Sequence, residues 1–203
     1  MNRSLPRYHL LLCWVLLLQA LLYIPASVSG KESARIADMV LMNSEHELLL
    51  YFTLQNVFTE EMEKGIQNGI PVTFSYFIEL HRLADGGLEK NIASKAFDHT
   101  LNYDPLKQEY KVEMEERKVS PFTFKSFADA KTAMTDIHDL QLAGLALLES
   151  NGRYMVKVKA KLAKKTLHMN FQYIIPFWQL WKFETNWYTL SFTYGITGSA
   201  TKR

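Results

Sequence analysis

The sequence predicts an α+β protein that is mostly β, with antiparallel strands in meander or sandwich-like sheets and two short amphipathic helices. Three observations predict this class: apolar and polar residues alternate along most of the chain after residue 30, two short stretches switch to helical spacing, and turn-forming residues separate the segments. An N-terminal signal or anchor helix precedes this part. With 203 residues, of which 48% are hydrophobic, the chain is long enough to bury a core.

The first thirty residues have the pattern of an export signal. They contain no acidic residue, Arg3 and Arg7 lie near the start, an apolar run covers residues 10–24, and Pro25 is followed by small residues. This order is typical of a secretory signal peptide, and the alternative is an uncleaved anchor that tethers the protein to the inner membrane through residues 10–28. We therefore divide the chain into residues 1–30, a single globular domain at 31–194, and a flexible tail at 195–203.

The single cysteine of the chain, Cys13, lies inside this N-terminal segment. If the segment is removed, the exported domain has no disulfide, no thiol nucleophile and no cysteine ligand for a metal. Its stability then depends on its hydrophobic core alone.

The strands of the domain are predicted from alternation with a period of two. The most regular pattern begins at Arg153, where apolar residues face one side and Lys157, Lys159 and Lys161 face the other. The strand segments are 36–42, 46–54, 72–82, 88–103, 110–114 and 153–162.

Two helices interrupt the strands. The first is capped by Thr59, presents Phe58, Met62 and Ile66 on one face, and ends at Asn68-Gly69. The second is predicted over residues 126–139, where Ser126 is the cap. Its apolar stripe consists of Phe127, Ala130, Met134 and Ile137.

Charge is nearly balanced but unevenly placed. The formal net charge is +2, which excludes a strongly basic nucleic-acid binder. Residues 31–150 carry 12 basic and 20 acidic side chains, whereas residues 151–203 carry nine basic and one acidic. This asymmetry indicates either an interaction surface or two complementary parts of one sheet.

The order of these pieces resembles a family of exported bacterial proteins known as domain of unknown function 4390. The most specific pieces are the helix exit Gly69-x-Pro71 and the ending Trp181-Lys182-Phe183-Glu184-Thr185-Asn186-Trp187-Tyr188. The resemblance covers residues 33–194 and implies a bacterial envelope protein, without an established activity, substrate or site.

No catalytic or metal-binding motif is present in the sequence, and we predict no enzyme, no cofactor and no metal. The histidines are scattered, and no nucleophile elbow occurs. A triad assembled from distant positions would use His99 or His138 with Asp98, Asp136 or Asp139. The ordinary interpretation is that these are exposed polar residues on a strand and a helix.

Two features indicate partner binding. The first is the set Lys157, Lys159 and Lys161, whose ammonium groups repel each other unless a negatively charged partner lies nearby. This partner is either internal, such as the acidic strand at 109–116, or an external phospholipid, lipopolysaccharide or acidic protein. The second is the aromatic ending at 171–194, which supplies the core or an exposed patch. The candidate partner-binding residues are Lys157, Lys159, Lys161, Phe177, Trp178 and Trp181.

These features lead to three hypotheses of function. The first is a non-catalytic, exported module of the cell envelope that binds a protein or an anionic membrane surface. The second is a carrier of an apolar, lipid-like ligand, favoured by the surplus of large apolar residues. The third is a hydrolase with a dispersed triad.

Overall fold

The strands form two antiparallel sheets, and the protein is mostly β with two short helices, as the alternation predicts. The computed structural model describes residues 33–84, 89–119, 121–163 and 181–195. The strands are β1 Arg35–Asn43, β2 Glu47–Gln55, β3 Val72–Leu83, β4 Glu89–Asp104, β5 Glu109–Met114, β6 Phe122–Phe124, β7 Asp136–Gly144, β8 Arg153–Leu162 and β9 Tyr188–Thr193. The helices are α1 Glu60–Gln67 and α2 Phe127–Thr135, and 3-10 turns cover Glu115–Arg117 and Leu145–Leu147.

The smaller sheet has the order β1-β2-β7, and the larger sheet has the order β6-β5-β4-β3-β8-β9. β3 is central to the larger sheet, and its residues Val72, Phe74, Tyr76, Ile78 and Leu80 are fully buried, as their spacing predicts. The ring of Phe52 on β2 lies 5.9 Å from that of Tyr76 on β3, so the core lies between the two sheets.

α1 begins and ends where the sequence predicts. The Thr59 side chain accepts a hydrogen bond from the backbone N–H of Met62, and Met62 and Ile66 are buried. The helix ends because Gly69 takes a φ of 81°, a left-handed conformation that glycine adopts without strain. The backbone N–H of Ile70 then donates to the carbonyl of Gly65 at 3.0 Å.

The predicted extent of the second helix is wrong at its C-terminal end. Ser126 caps α2 as predicted, but the helix ends at Thr135 and β7 begins at Asp136. Ile137 continues the apolar stripe of the helix and is buried, yet it lies on a strand opposite Phe52 of β2. Residues 136–144 adopt a strand conformation because their backbone groups can form hydrogen bonds with the open side of β2.

Several predicted features lie outside the described residues. They are the signal or anchor segment 1–30, the turn at 85–87, Phe177 and Trp178 with the rest of the run 171–180, and the tail after Gly195. In the part of the chain that the structure describes, no helix is long and apolar enough to span a membrane.

Candidate functional site

The candidate site is the outward face of β8, which we call the lysine face and define by Lys157, Lys159 and Lys161. β8 lies between β3 and β9. Tyr154, Val156, Val158 and Ala160 are fully buried, so the intervening lysines point away from the core, as their alternation predicts.

Lys157 belongs to a network of four charged or titratable side chains. Its ammonium group donates to the carboxylate of Glu89 on β4, and this hydrogen bond lowers the pKa of Glu89. His81 lies between two carboxylates, with its Nε2 at 2.7 Å from Glu79 and its Nδ1 at 3.5 Å from Glu89. The positive charge of Lys157 is therefore paired with a carboxylate of the same chain.

Lys159 also forms an ion pair within the chain. Its Nζ lies 2.5 Å from the carboxylate of Glu184, and 5.8 Å from the ring of Trp187. The Trp187 side chain remains 42% exposed. This places an aromatic ring, an ammonium group and a carboxylate side by side on the surface.

Lys161 is different, because its ammonium group lies over an aromatic ring. Its Nζ is 4.8 Å from the centre of the Phe77 ring on β3, a cation–π distance. Neither Lys161 nor the exposed Lys182 forms an ion pair with any residue that the structure describes. Lys161 on β8 and Lys182 on the neighbouring segment are thus two lysines without a described carboxylate partner.

A cavity of about 720 Å³ opens at this end of β8. Its lining combines apolar residues with two lysines, Lys161 and Lys182, and with Glu184, whose carboxylate pairs with Lys159. The lining residues are Ser75, Phe77, Lys161, Leu162, Ala163, Trp181, Lys182, Phe183 and Glu184. Such a combination suits a ligand group that has an apolar part and a negative charge.

The segment that completes this cavity is fixed to β8 by backbone hydrogen bonds. The N–H of Leu162 donates to the carbonyl of Phe183, and the N–H of Thr185 donates to that of Ala160. The ring of Phe183 lies 5.0 Å from that of Phe74, edge-on. Residues 183–185 therefore extend the sheet beyond β9, and Phe183 and Glu184 of this paired segment line the cavity.

Trp181 lines the cavity but is largely buried. Only 6% of its surface is exposed, and its ring packs directly against Gly65 of α1. The ring of Trp181 therefore serves mainly to hold α1, and its role in partner binding stays a prediction. Of the aromatic candidates Phe177, Trp178 and Trp181, only Trp181 is among the described residues.

Lys157 and Lys159 have internal carboxylate partners, which is one of the two alternatives, but the strand named as their source, 109–116, is wrong. β5, which carries most of the acidic segment 109–116, is separated from β8 by β4 and β3. The carboxylates come instead from Glu89 and Glu184. Local sequence spacing could not reveal this, because strand order is set by long-range pairing.

A match to a known protein family covers most of the domain. A sequence profile described as "Domain of unknown function (DUF4390)" matches residues 31–191. The chain belongs to this family. The resemblance inferred from the sequence is therefore confirmed. No curated protein and no solved structure matches the chain.

Within this DUF4390 chain, the helix that leads into one of the two most specific sequence pieces contacts the first residue of the other. Gly65 lies on the helix that ends at Gly69-x-Pro71, and Trp181 opens the tryptophan-rich ending. A side chain at Gly65 would overlap the Trp181 ring. The tryptophan-rich ending is thus packed against α1, four residues before Gly69.

Of the two histidines named for a dispersed triad, only His138 lies beside one of the named aspartates. His99 is 1% exposed, so its predicted exposure is wrong, and its Nδ1 lies 3.1 Å from the Met134 carbonyl while its Nε2 lies 3.0 Å from Glu116. His138 lies 3.7 Å from Asp136. Asp98 accepts a hydrogen bond from the Ser75 hydroxyl at 2.6 Å.

The contact between Glu116 and His99 was not predicted from the sequence. The Glu116 carboxylate reaches the buried His99, and Glu116 also lines a second cavity of about 440 Å³ beside β7. One signal could have revealed the burial of His99, because this residue is in phase with Phe97 and Leu101 on the inward face of β4. Among the described residues, no cluster of three metal-ligating side chains occurs.

Proposed function

We propose that this chain is an exported, periplasmic protein of the bacterial cell envelope that binds a protein partner at the end of β8 and catalyses no reaction. The observation that carries the proposal is the cavity beside Lys161, where two ammonium groups without a described carboxylate partner adjoin apolar walls. Export is supported by the acid-free, apolar N-terminal segment, which resembles a signal or an anchor.

A protein partner suits this face better than an anionic membrane surface. Glu79, Glu89 and Glu184 lie among the lysines, and anionic headgroups would repel these carboxylates. Lys157 and Lys159 would have to leave their carboxylates to meet a headgroup. A protein can present separate apolar and acidic groups to the exposed Trp187 and to Lys161, which matches the mixed chemistry of the face.

Photo-crosslinking in the natural host tests the proposal. A photoreactive phenylalanine analogue replaces Trp187 in the full chain, and we expect discrete protein adducts after irradiation. Changing Lys161→Gln together with Lys182→Gln should remove these adducts. The matched control, Lys107→Gln with Lys125→Gln, removes the same charge far from the site and should retain them. Adducts to other proteins that do not depend on Lys161 and Lys182, or no such adducts at all, would contradict the proposal, whereas an adduct between two copies of this chain is not counted.

Vesicle sedimentation separates the membrane alternative. The full chain is mixed with vesicles of phosphatidylethanolamine and phosphatidylglycerol at physiological salt, and we expect no binding through the lysine face. Binding that the Lys161→Gln and Lys182→Gln changes abolish would instead assign this face to the membrane.

A separate measurement tests the export signal. The mass of the chain that accumulates in the same host tells whether residues 1–30 are removed.

A second candidate function, carriage of an apolar lipid-like ligand, is supported by the apolar walls of the same cavity, which include Phe77, Leu162 and Phe183. The space between the two sheets favours it less, because that space is filled by buried side chains such as Phe52 and Tyr76. Native mass spectrometry of the chain from its host should show a lipid-sized mass if the cavity carries such a ligand.

A further inference from the structure

β9 is an edge strand of unusual composition. Among the described strands it pairs with β8 and with no other. No charged residue and no proline occur from Thr185 to Gly195. Its pairing with β8 runs without a register shift from Tyr188 to Thr193. Natural edge strands usually carry a charge, a proline or a bulge that prevents pairing with another chain.

The other edges of the two described sheets carry such protection. β1 has a register shift between Ala37 and Val40, where Asp38 takes a φ of 54°. β7 pairs with β2 through two register shifts, and Asp139 on it takes a φ of 55°. β6 is only three residues long. Of the edges that the structure describes, β9 alone is regular, uncharged and six residues long.

The backbone groups of β9 that face away from β8 can be assigned. The N–H of Tyr194 donates to the Gly152 carbonyl at 3.0 Å, so Tyr194 faces the β8 side. In an antiparallel ladder, alternate residues point their N–H and C=O groups to opposite neighbours. Thr189, Ser191 and Thr193 therefore direct their backbone donors and acceptors to the open edge.

The side chains of β9 are sorted by face. Thr189, Ser191 and Thr193 are exposed on the outer face, whereas Tyr188, Leu190 and Phe192 face the core and remain only half-buried. The Phe192 ring stacks on that of Tyr154 at 5.5 Å. An added strand would cover the half-buried residues and satisfy the open backbone groups at the same time.

We propose that β9 pairs antiparallel with β9 of a second copy of this chain, across a two-fold axis at Ser191, so that two larger sheets join into one. In this register Thr189 lies opposite Thr193 of the second copy, and Leu190 opposite Phe192. Apolar residues meet apolar ones on the inner face, and hydroxyl residues meet hydroxyl residues on the outer face. The pairing brings no charges together and forms about six backbone hydrogen bonds.

A cysteine placed on the axis tests the register. In the full chain with Cys13→Ser, Ser191→Cys provides the only cysteine, and two copies in an antiparallel hydrogen-bonded pair have Cα atoms about 5.5 Å apart, within disulfide range. We expect mild oxidation to give a disulfide-linked dimer. The control Thr189→Cys lies on the same exposed face, but its copies are about 13 Å apart in this register, and it should not cross-link.

An edge-blocking variant tests the association itself. Sedimentation of the full chain at up to about 100 μM should show a dimer, and Ser191→Lys should weaken its dissociation constant about tenfold or more, because two lysines then face each other on the axis. Circular dichroism checks that the variant keeps its fold. A wild-type chain that stays monomeric, equal dimerisation of Ser191→Lys, or equal cross-linking of both cysteine variants would overturn the proposal. These outcomes do not depend on the partner site at the end of β8.

Discussion

Tyr76 shows how a single buried hydroxyl ties the strands to the helix α2. Its hydroxyl donates to the Met134 carbonyl at 2.6 Å, and the same carbonyl lies 3.1 Å from Nδ1 of His99. The rings of Tyr76 and His99 are 5.1 Å apart. One backbone oxygen at the end of α2 is thus shared by a residue from β3 and one from β4, which fixes the point where the helix gives way to β7.

The pKa of Tyr76 is raised well above its ordinary value of 10.0, first by burial and then by the negative charges of Glu116 and Asp136. In the unfolded chain the Tyr76 hydroxyl loses its proton above pH 10, whereas in the folded chain it keeps that proton. The contribution of Tyr76 to stability is therefore complete below pH 10 and is lost as the pH rises above it, by about 1.4 kcal/mol per pH unit for one such group.

We predict that Tyr76→Phe lowers the free energy of unfolding by about 1 kcal/mol at pH 7, because a buried hydrogen bond is lost. Above pH 10 the variant should lose stability with pH more slowly than the wild type. Urea unfolding at pH 7 and at several values above pH 10 measures both effects. Equal alkaline slopes in the two proteins would show that Tyr76 does not retain its proton in the folded state.

The helix α1 and the segment after residue 180 act as one element, because Trp181 packs on the helix where Gly65 leaves room for its ring. Gly65 is also buried, and its carbonyl accepts the N–H of Ile70. The tryptophan thus closes over the helix just before its C-terminal turn.

We predict that Gly65→Ala destabilises the protein by about 1–3 kcal/mol, since an added Cβ would overlap the indole ring. The matched control is Gly144→Ala, whose Cβ would meet only the His46 carbonyl at 3.9 Å and should change little. Trp181→Leu combined with Gly65→Ala should cost less than the sum of the two single changes. Thermal unfolding of the four variants provides the comparison, and strict additivity would rule out the contact.

Elements whose pattern has one consistent solution could be predicted from the sequence. β3 and β8 alternate over ten or more residues, and only a strand with one buried face explains that spacing. The boundary between α2 and β7 could not be found, because Ile137 fits the helical stripe and the strand equally well. The carboxylates that pair with the lysine face could not be predicted either. Glu89 lies 68 residues from Lys157 and reaches it only through the pairing of β4, β3 and β8.

The uneven charge of the whole chain is partly resolved by its topology. The acidic part of the sequence supplies β3 and β4, and the basic part supplies β8, which pairs with β3. Lys157 lies opposite Glu79 in that pairing, and its ammonium group reaches Glu89 one strand further on. The two oppositely charged parts of the sequence therefore meet on one face of the larger sheet, which favours the complementary-sheet interpretation around Lys157.

A charge-swap cycle tests whether this meeting stabilises the molecule. Lys157→Glu should lower the free energy of unfolding, because it places a third carboxylate beside Glu79 and Glu89. Adding Glu89→Lys should recover part of the loss by restoring one opposite pair, whereas Glu89→Lys alone should destabilise by setting two ammonium groups against each other. Urea unfolding at low and at high salt measures the coupling, which salt should reduce because both side chains are partly exposed. A coupling of zero at low salt would mean that the pair contributes nothing, and the separated charges of the chain would then have to be explained by what the lysine face binds.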